Sequence, residues 1–408
     1  MPLTIACPCS DETDCKSIQD FTLTVFHTAD AVGELQWNQH IPESNILMQL
    51  DNLKELERLH GDKMQFHYVF AKKDNLTVGV MYFQVVMFHG NQLINYFPQT
   101  EKPNFIMKGL KVVSEKILNL VNIKLLVSGN VFMTGENGFY FSGDIDKATR
   151  AKILRKTVSQ LLKSDSSLKA VLISDLYRPV TEFDQDFIKA GYSEQIVESD
   201  MSIVLRPEWH SFDDYLNSLS SKYRVRAKKV FSLCDEHGVD NRELNLEEIE
   251  QFQDRIYALY NNVMERADFK LSELNIGFFA AQKKSLPNYY HVFGYFKDGE
   301  MIGFISAYKI GKRMEVHYVG MDHDLTKPIH LYQHMMYDMI RFGIENKAGQ
   351  LHFGRTAPEI KSTIGAVPSP MYGWLKHRSA LFNILLTRPY TANLKPKEYT
   401  FRNPFKDK

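Results

Sequence analysis

The sequence has few cysteines and no surplus of either charge. Its 408 residues include four cysteines, and 49 Lys and Arg residues balance 49 Asp and Glu residues. So few cysteines exclude a small disulfide-stapled fold, and zero net charge argues against a chain-wide field for nucleic acid or an anionic membrane. No apolar run approaches the length of about 20 residues that a membrane-spanning helix needs. Because the N-terminus also lacks a cationic flank followed by a long apolar stretch, the sequence predicts a cytoplasmic protein.

Metal-binding patterns are also scarce. Cys7, Cys9 and Cys15 lie close together, but no fourth ligand accompanies them. Reduced thiols on a terminal segment are therefore favoured over a zinc site. Cys234 stands alone and is interpreted as a packing residue. The fourteen histidines show no metal-ligand spacing, so we expect no metal ion.

The most informative feature that is present is an internal repeat. Residues 66–88 align with residues 290–312 after a shift of 224 positions, which places Lys73-Asp74 on Lys297-Asp298. Each copy contains an apolar run, a polar turn, a second apolar run, another turn and a third strand. This pattern is typical of a three-stranded antiparallel meander. Under the same shift Val127 falls on Leu351, so the repeat is expected to continue through a helix into a buried strand.

The length and the repeat together predict two domains. A chain of 408 residues is too long for one ordinary core, and the order of elements in each half builds a mixed, mostly antiparallel sheet flanked by helices. We therefore predict an α/β fold. The predicted divisions are a polar N-terminal tail (1–30), a first domain (31–208), a basic interdomain helix (209–240) and a second domain (241–408).

Several short motifs in the second half carry a family resemblance. Lys222-x-Arg224 with Lys228-Lys229 resembles the basic helix that opens the second domain of FemAB-like proteins. Val319-Gly320-Met321-Asp322 resembles the end of that family's central strand. The family's closing block, a Gly-Arg-Ser/Thr turn before a Lys and a Gly, is similar to Phe353-Gly354-Arg355-Thr356 followed by Lys361 and Gly365.

The first half is similar to relatives of the same class. Trp37 and the block Gly129-Asn130-x-Phe132-x-Thr134-Gly135 resemble GNAT-like proteins of peptidoglycan biosynthesis or recognition. The resemblance covers nearly the whole chain from about residue 31. It implies two tandem GNAT-like acyltransferase domains and an enzyme that forms amide bonds, as in the peptidoglycan-bridge aminoacyl transferases of this family.

The candidate catalytic residues lie in the second half. Amide formation needs a deprotonated amine, an activated carbonyl and donors for the developing oxyanion. Tyr318 on the expected central strand could donate to a leaving group or oxyanion, Asp322 at the end of that strand could accept a proton, and Lys361 belongs to the family block. The alternative is structural, with Tyr318 packed in the core and Asp322 capping a turn.

The candidate substrate-binding residues are cationic or flank a glycine turn. Lys222, Arg224 and Lys228 belong to a helix with five cations, which predicts a clamp for phosphate or carboxylate or, alternatively, a solvated helix face. Arg355 and Thr356 follow a strand end, where ligands often meet α/β sheets. The alternative for this block is an ion-paired Arg355 and an exposed Lys361.

The loop expected to hold coenzyme A departs from the usual acetyltransferase pattern. Acetyltransferases of this fold cradle a pyrophosphate with a glycine-rich loop after the central strand. Here residues 322–328 contain no glycine and include Pro328, and the matching first-half loop, 98–103, is no richer. We expect no tightly bound cofactor, and the activated donor stays open among acyl-CoA, acyl carrier protein and aminoacyl-tRNA.

Three functions fit these observations. The favoured one is an N-acyltransferase that moves an acyl or aminoacyl group to an amine, with a cell-envelope precursor or amino acid as acceptor. The second is a non-catalytic tandem module that binds a cell-envelope precursor, a lipid or a protein partner. The third is a carrier-dependent acyltransferase that makes an N-acylated amino acid or lipid through an added apolar tunnel.

Overall fold

The computed structural model describes residues 3–5, 21–90, 121–177, 181–267, 270–387 and 399–406. Within these residues the chain forms fourteen strands. They are β1 (Leu3–Ile5), β2 (Phe21–Phe26), β3 (Gln65–Lys73), β4 (Leu76–His89), β5 (Asn122–Ser128), β6 (Phe139–Phe141), β7 (Leu168–Leu176), β8 (Ser193–Val204), β9 (Val239–Glu243), β10 (Tyr290–Lys297), β11 (Glu300–Ile310), β12 (Arg313–Met321), β13 (Gln350–His352) and β14 (Val367–His377).

The described α-helices are mostly short. They are α1 (Glu34–Asn38), α2 (Leu50–His60), α3 (Lys147–Ser164), α4 (Thr181–Lys189), α5 (Phe212–Ser218), α6 (Ser221–Glu236), α7 (Leu246–Gln251), α8 (Gln253–Met264), α9 (Phe278–Ser285), α10 (His323–Thr326), α11 (Leu331–Glu345), α12 (Pro358–Ser362) and α13 (Ala380–Phe382). Several begin at capping residues. Ser211 with Asp214 and Asn245 with Glu248 form capping boxes at α5 and α7, which satisfy backbone N–H groups that have no partner within the helix.

The chain divides into two compact units. Unit 1 comprises Met1–Val197, Asp268–Leu274 and Met371–Pro396, and unit 2 comprises Glu198–Ala267, Asn275–Pro370 and Lys397–Lys408. The division predicted from the sequence was contiguous, whereas each compact unit is assembled from separate stretches of the chain.

Unit 1 contains a mixed sheet with the order β1-β2-β3-β4-β5-β7-β14. Strands β5 and β7 are parallel, and the other neighbouring pairs are antiparallel. Its strand β2, Phe21–Phe26, was assigned to the polar tail from the sequence. Leu23 and Val25 alternate with less buried residues, and this period of two suits a strand with one face in the core.

Unit 2 contains a second mixed sheet with the order β8-β13-β12-β11-β10-β9. Strands β12 and β13 are parallel, and the other pairs are antiparallel. Helix α6 covers the core with Ala227, Val230 and Cys234, which recur at steps of three and four and so share one helix face. The two sheets confirm the predicted architecture of mixed, mostly antiparallel sheets flanked by helices.

The repeated hairpin is conserved in backbone detail between the two units. The β3–β4 turn has positive φ at Asp74 (49°) and Asn75 (65°), and the β10–β11 turn has positive φ at Asp298 (52°) and Gly299 (84°). Two consecutive positive φ values are the requirement of a type I′ turn. A register shift follows Ala71 in one hairpin and Tyr295 in the other, again 224 residues apart.

The repeat does not continue at a constant shift beyond the hairpin. The predicted alignment of Val127 with Leu351 as equivalent positions of the two copies was therefore wrong. Val127 lies in β5, which is antiparallel to β4, as β12 is to β11. Leu351 lies in β13, whose counterpart by pairing is β7. The reason is that β4 and β5 are separated by 32 residues whereas β11 and β12 are separated by two. Apolar residues at steps of three and four in 104–120 predict the amphipathic helix of this repeat. These residues lie outside the described part of the chain.

Apolar residues at steps of three and four predict one helix over 326–346, with Pro328 in its first turn, but the helix of the structure begins later. Residues from His323 to Thr326 form α10, and α11 starts only at Leu331. His330 adopts a left-handed conformation with φ 54°, which interrupts an α-helix. Pro328 therefore lies in the connection between α10 and α11 rather than in the first turn of a long helix.

Candidate functional site

Strand β12 of unit 2 is paired along only part of its length on one side. Over the described residues, its parallel pairing with β13 covers Arg313–Glu315 opposite Gln350–His352. Strand β13 then ends at His352, and the six remaining residues of β12, Val316–Met321, continue beyond it. An open strand edge of this kind exposes backbone groups that a ligand can use.

A bulge lies next to this open segment. The register between β11 and β12 shifts between Ile305 and Ala307, which pair with Val319 and Val316. At this point the Ser306 hydroxyl accepts a hydrogen bond from the Tyr318 N–H (3.1 Å) and donates one to the Tyr318 carbonyl (3.2 Å). A bulge bends a strand and redirects its side chains, so the bulge sets the direction of Tyr318.

The corresponding strands of unit 1 stay together. Strand β5 pairs with β7 through its last residue, Ser128, which is opposite Ile173. Beyond that residue, the Gly129 N–H donates to the Tyr82 carbonyl (3.0 Å), and the Tyr82 N–H donates to the Gly138 carbonyl (2.8 Å). The open edge is therefore a feature of unit 2, where the sequence had placed the candidate site.

Tyr318 lies on the segment Val316–Met321 of β12, and Arg355 follows β13 in the chain. The Tyr318 ring packs edge-on against Tyr260, with ring centroids 5.3 Å apart. Burial raises the pKa of the Tyr318 hydroxyl well above its ordinary value, and the nearby guanidinium of Arg355 opposes that shift. Tyr318 is therefore neutral near pH 7, and its hydroxyl keeps its proton.

Lys361 is buried in unit 2, so the alternative that predicted it to be exposed was wrong. Its side chain is on α12, and Lys361 is 2% exposed. The ammonium donates to the carbonyls of Phe353 (2.6 Å) and Gly354 (3.1 Å). Burial lowers the pKa of Lys361 to about 7, and the carboxylates of Asp200 and Glu198 oppose that shift. Lys361 thus holds the turn after β13 from inside.

Asp322 is positioned as a helix cap. One carboxylate oxygen accepts from the N–H groups of Asp324 (3.2 Å) and Leu325 (3.4 Å) at the start of α10. The other oxygen lies 3.8 Å from the Arg255 guanidinium. These contacts agree with the structural alternative, and the catalytic role of Asp322 stays a prediction.

The sequence-predicted binding residues lie on two elements. Lys222 and Lys228 are exposed on α6, and Arg224 is half-buried there. Within the described residues, none of these three pairs with a carboxylate. Thr356 is exposed in the loop after β13, one residue before Ala357, the residue that caps α12.

Two further buried side chains at this site were missed by the sequence analysis. Asp200 on β8 is fully buried, and one of its oxygens lies 2.5 Å from Nδ1 of His352 on β13. The other oxygen accepts the Gly354 N–H at 2.9 Å. Asp200 and His352 are 152 positions apart, and neither belongs to a recognisable motif, so no local signal could have paired them.

Glu315 lies beside this pair. It is the register partner of His352, is 6% exposed and forms an ion pair with Arg313. Burial raises the pKa of the Glu315 carboxyl to about 7, although Arg313 opposes the shift. The alternation of β12 places Glu315 and Tyr308, its partner on β11, on one face of the sheet.

Metal, cysteine and membrane features are limited in the described part of the chain. No group of three or more His, Cys, Asp and Glu side chains there could hold a metal ion. Cys7, Cys9 and Cys15 lie outside the described residues, and Cys234 is buried in unit 2. None of the described helices is long and apolar enough to cross a membrane.

The loops considered for coenzyme A differ from expectation in unit 1. By strand pairing, the unit 1 loop that follows the strand equivalent to β12 is 129–138 rather than 98–103, and it contains three glycines. Residues 98–103 lie outside the described residues. In unit 2 the corresponding segment forms α10, whose first N–H groups are occupied by the Asp322 carboxylate.

Comparison with known proteins gives a fold. No protein-family model matches the chain, and no curated protein sequence matches it either. Among solved structures, FemX is similar over 88% of this chain and 99% of its own, with a TM-score of 0.53 and 12% identity. The chain has the FemX fold. This confirms the prediction of a tandem GNAT-like, FemAB-like architecture.

Other solved structures are similar at lower scores. A tandem GNAT protein from the clavulanic acid biosynthesis pathway has a TM-score of 0.48 and 8% identity, over 88% of this chain and 99% of its own. The structure of L-PGS from Bacillus licheniformis has a TM-score of 0.44 and 12% identity, over 84% and 97%.

A glycine at the candidate site allows a direct test of the turn. Gly354 has φ +75°, and a Cβ there would meet no atom within 4 Å. Gly354→Ala should therefore destabilise unit 2 by about 1–2 kcal/mol through backbone strain alone. Gly311→Ala is the matched control, because Gly311 also has positive φ and open space but lies in the β11–β12 turn. Hydrogen exchange should show faster exchange at residues 353–357 only in Gly354→Ala; equal exchange there in both variants would contradict the prediction.

Proposed function

We propose that the chain is an N-acyltransferase that moves an acyl or aminoacyl group from an activated donor to an amine. The observation that carries the proposal is the segment Val316–Met321 of β12, which includes Tyr318 and extends beyond the pairing with β13 over the described residues. The FemX fold is consistent with it. A cell-envelope precursor or an amino acid is the proposed acceptor.

The reaction assigns one task to each group. The acceptor nitrogen attacks the donor carbonyl carbon, a C–N bond forms, and the bond from that carbon to the carrier oxygen or sulfur breaks. The neutral Tyr318 hydroxyl supplies a proton to the leaving atom. Asp322, at the end of the same strand, is assigned as acceptor of the proton that the amine loses. Arg355 stabilises anionic groups of the bound substrates.

Helix α6 is proposed to bind phosphate or carboxylate groups of the donor or acceptor. Lys222, Arg224 and Lys228 support this role because they form no ion pair within the described residues. Arg224 in addition can grip such groups with two parallel hydrogen bonds. Acyl-CoA, an acyl carrier protein and aminoacyl-tRNA remain the alternative donors, and no tightly bound cofactor is proposed.

A non-catalytic binding module is the second candidate function. It is favoured by the contacts of Asp322, whose carboxylate occupies the first N–H groups of α10. Those groups would otherwise be available to a pyrophosphate. In that case the open edge of β12 would bind a cell-envelope precursor, a lipid or a protein without transferring a group. The carrier-dependent enzyme that makes N-acylated amino acids or lipids would use the same residues as the first proposal.

A donor screen followed by a tyrosine substitution tests the proposal. The protein is offered acetyl-CoA, long-chain acyl-CoA, acyl carrier protein, charged tRNA and nucleotide-linked cell-wall precursors, and retained molecules and new amides are identified by mass. Tyr318→Phe should slow amide formation about 100-fold, because it removes one proton donor. Tyr332→Phe is the control, since Tyr332 packs against the unit 2 core from α11.

The outcomes separate the two functions. Amide formation that is slowed in Tyr318→Phe and unchanged in Tyr332→Phe supports the enzyme. Amide formation that is equally fast in both variants removes Tyr318 from the mechanism. Retention of a precursor without any amide product supports the binding module. Loss of retention in Arg224→Ala supports the role of α6.

A further inference from the structure

The turn after β13 is held by buried polar side chains that the proposed reaction does not use. Asp200 is fully buried on β8, and His352 is 6% exposed on the neighbouring β13. The two strands pair through His352 opposite Ser202, and the Met201 N–H donates to the Gly354 carbonyl at 3.1 Å. Asp200 therefore lies level with the point where the chain leaves the sheet toward Arg355.

Both the donor and the acceptors of this turn are bound by charged groups. Asp200 accepts the Gly354 N–H at 2.9 Å, and Lys361 donates to the carbonyls of Phe353 and Gly354. The bond to the Asp200 carboxylate is charge-assisted, and such bonds are stronger than neutral ones. These contacts fix the Gly354 backbone from both sides in a left-handed conformation, φ +75°. Without them, a glycine adopts this conformation about as readily as several others.

The side chains that hold the Gly354 turn, Asp200, His352 and Lys361, depend on one another. Asp200 opposes the effect of burial on the Lys361 ammonium, and its second oxygen contacts the His352 imidazole at 2.5 Å. A buried carboxylate without such partners would be strongly unfavourable. The three side chains therefore form one interdependent group, with Asp200 at its centre.

We propose that Asp200 is a positioning residue of the candidate site, which fixes the Gly354 turn and so the backbone position of the adjoining Arg355. Asp200 acts through Gly354 and His352 and has no contact role with substrate. The consequence for catalysis rests on the proposed function. The structural part of the proposal, that Asp200 holds the turn, does not depend on the proposed function.

Hydrogen exchange and tryptic cleavage of the full chain test whether Asp200 holds the turn, and neither measurement needs a substrate. Asp200→Leu fills the space but cannot accept the Gly354 N–H, whereas Asp200→Asn keeps one acceptor oxygen. Asp200→Leu should speed exchange at residues 353–357, and cleavage after Arg355, about tenfold or more, because an open turn exposes its amides. Asp200→Asn should increase both by about twofold to threefold.

A matched control removes general destabilisation as an explanation. Asp338→Leu makes the same change at another buried, hydrogen-bonded carboxylate of unit 2. It should speed exchange in α11 and β10 far more than at residues 353–357, whereas Asp200→Leu should show the reverse order. Equal protection of the turn in Asp200→Leu and Asp200→Asn would show that Asp200 only fills space, and would overturn the proposal.

Folding failure and failure of the proposed function are also distinguishable. If Asp200→Leu does not fold, as judged by circular dichroism, Asp200→Asn decides alone. In that variant, an increase of about twofold to threefold at residues 353–357 with none in α11 supports the proposal, and no increase overturns it. If the screen finds no transfer, the exchange result stands. If the Asp200 substitutions leave exchange at the turn unchanged, the Tyr318→Phe result still tests the proposed function.

Discussion

Asp338→Ala is expected to destabilise unit 2 by about 3–5 kcal/mol, the largest effect of any single substitution considered. The Asp338 carboxylate is 6% exposed in α11 and accepts hydrogen bonds from Tyr295 (2.8 Å), Asn241 (2.8 Å) and Arg341 (3.2 Å). Alanine would leave the Tyr295 hydroxyl and the Asn241 amide without this acceptor. Each buried donor left unsatisfied costs about 1–3 kcal/mol.

The measurement should resolve the unit concerned. A chain with two compact units need not unfold in a single two-state transition, so exchange of amide hydrogens in α11 and β10 is preferable to one melting temperature. Asp338→Asn keeps an acceptor and the side-chain shape, so it should lower the free energy of unfolding less than Asp338→Ala does. A loss below about 1 kcal/mol in Asp338→Ala would show that the network contributes little.

Glu315→Gln is expected to remove a dependence of unit 2 stability on pH. Burial raises the pKa of Glu315 from 4.5 to about 7, so the folded state binds its proton more tightly than the unfolded state does. The resulting stabilisation is complete below pH 4.5 and is lost as the pH rises through 7. The full change corresponds to roughly 3 kcal/mol. Glutamine cannot titrate, so the difference between the variant and the unaltered protein should grow across this window in favour of the variant.

The pH range separates Glu315 from Lys361. Burial lowers the pKa of Lys361 from 10.5 to about 7, so the stability that depends on Lys361 rises with pH from about 7 to 10.5. Measurements from pH 4.5 to 7 by denaturant unfolding or exchange of β12 amides therefore report mainly on Glu315. Glu345→Gln, at an exposed position on α11, is the control. If the difference in the free energy of unfolding between Glu315→Gln and the unaltered protein stays constant with pH, the prediction is refuted.

The local structure of the repeat could be read from residue order because its signals are local. Asp74-Asn75 and Asp298-Gly299 tolerate the positive φ values that a type I′ turn needs. Alternating apolar residues on either side define the strands. The same alternation would have identified β2, had Leu23 and Val25 been weighed against the polar residues around them.

The candidate site was predicted in part. The sequence identified Tyr318, Arg355 and Lys361. The structure places Tyr318 on the part of β12 beyond its pairing with β13, Arg355 in the turn after β13, and Lys361 under that turn. The sequence could not identify Asp200, because that residue reaches Gly354 only through the pairing of β8 with β13. It also left the environment of Asp322 undecided, because capping and proton transfer need the same residue type.

The sequence by itself determined the hairpins, most of the helices and strands, and the class of fold, since turn chemistry and hydrophobic periodicity act over a few residues. Only the tertiary structure decided which strands pair across long separations, such as Tyr372 with Leu176 in unit 1 and His352 with Ser202 in unit 2. It also decided that Lys361 is buried and that, over the described residues, β12 extends beyond its pairing with β13 at Glu315. These properties depend on burial and strand register between distant segments, whose free energies are set by the assembled core and not by neighbouring residues.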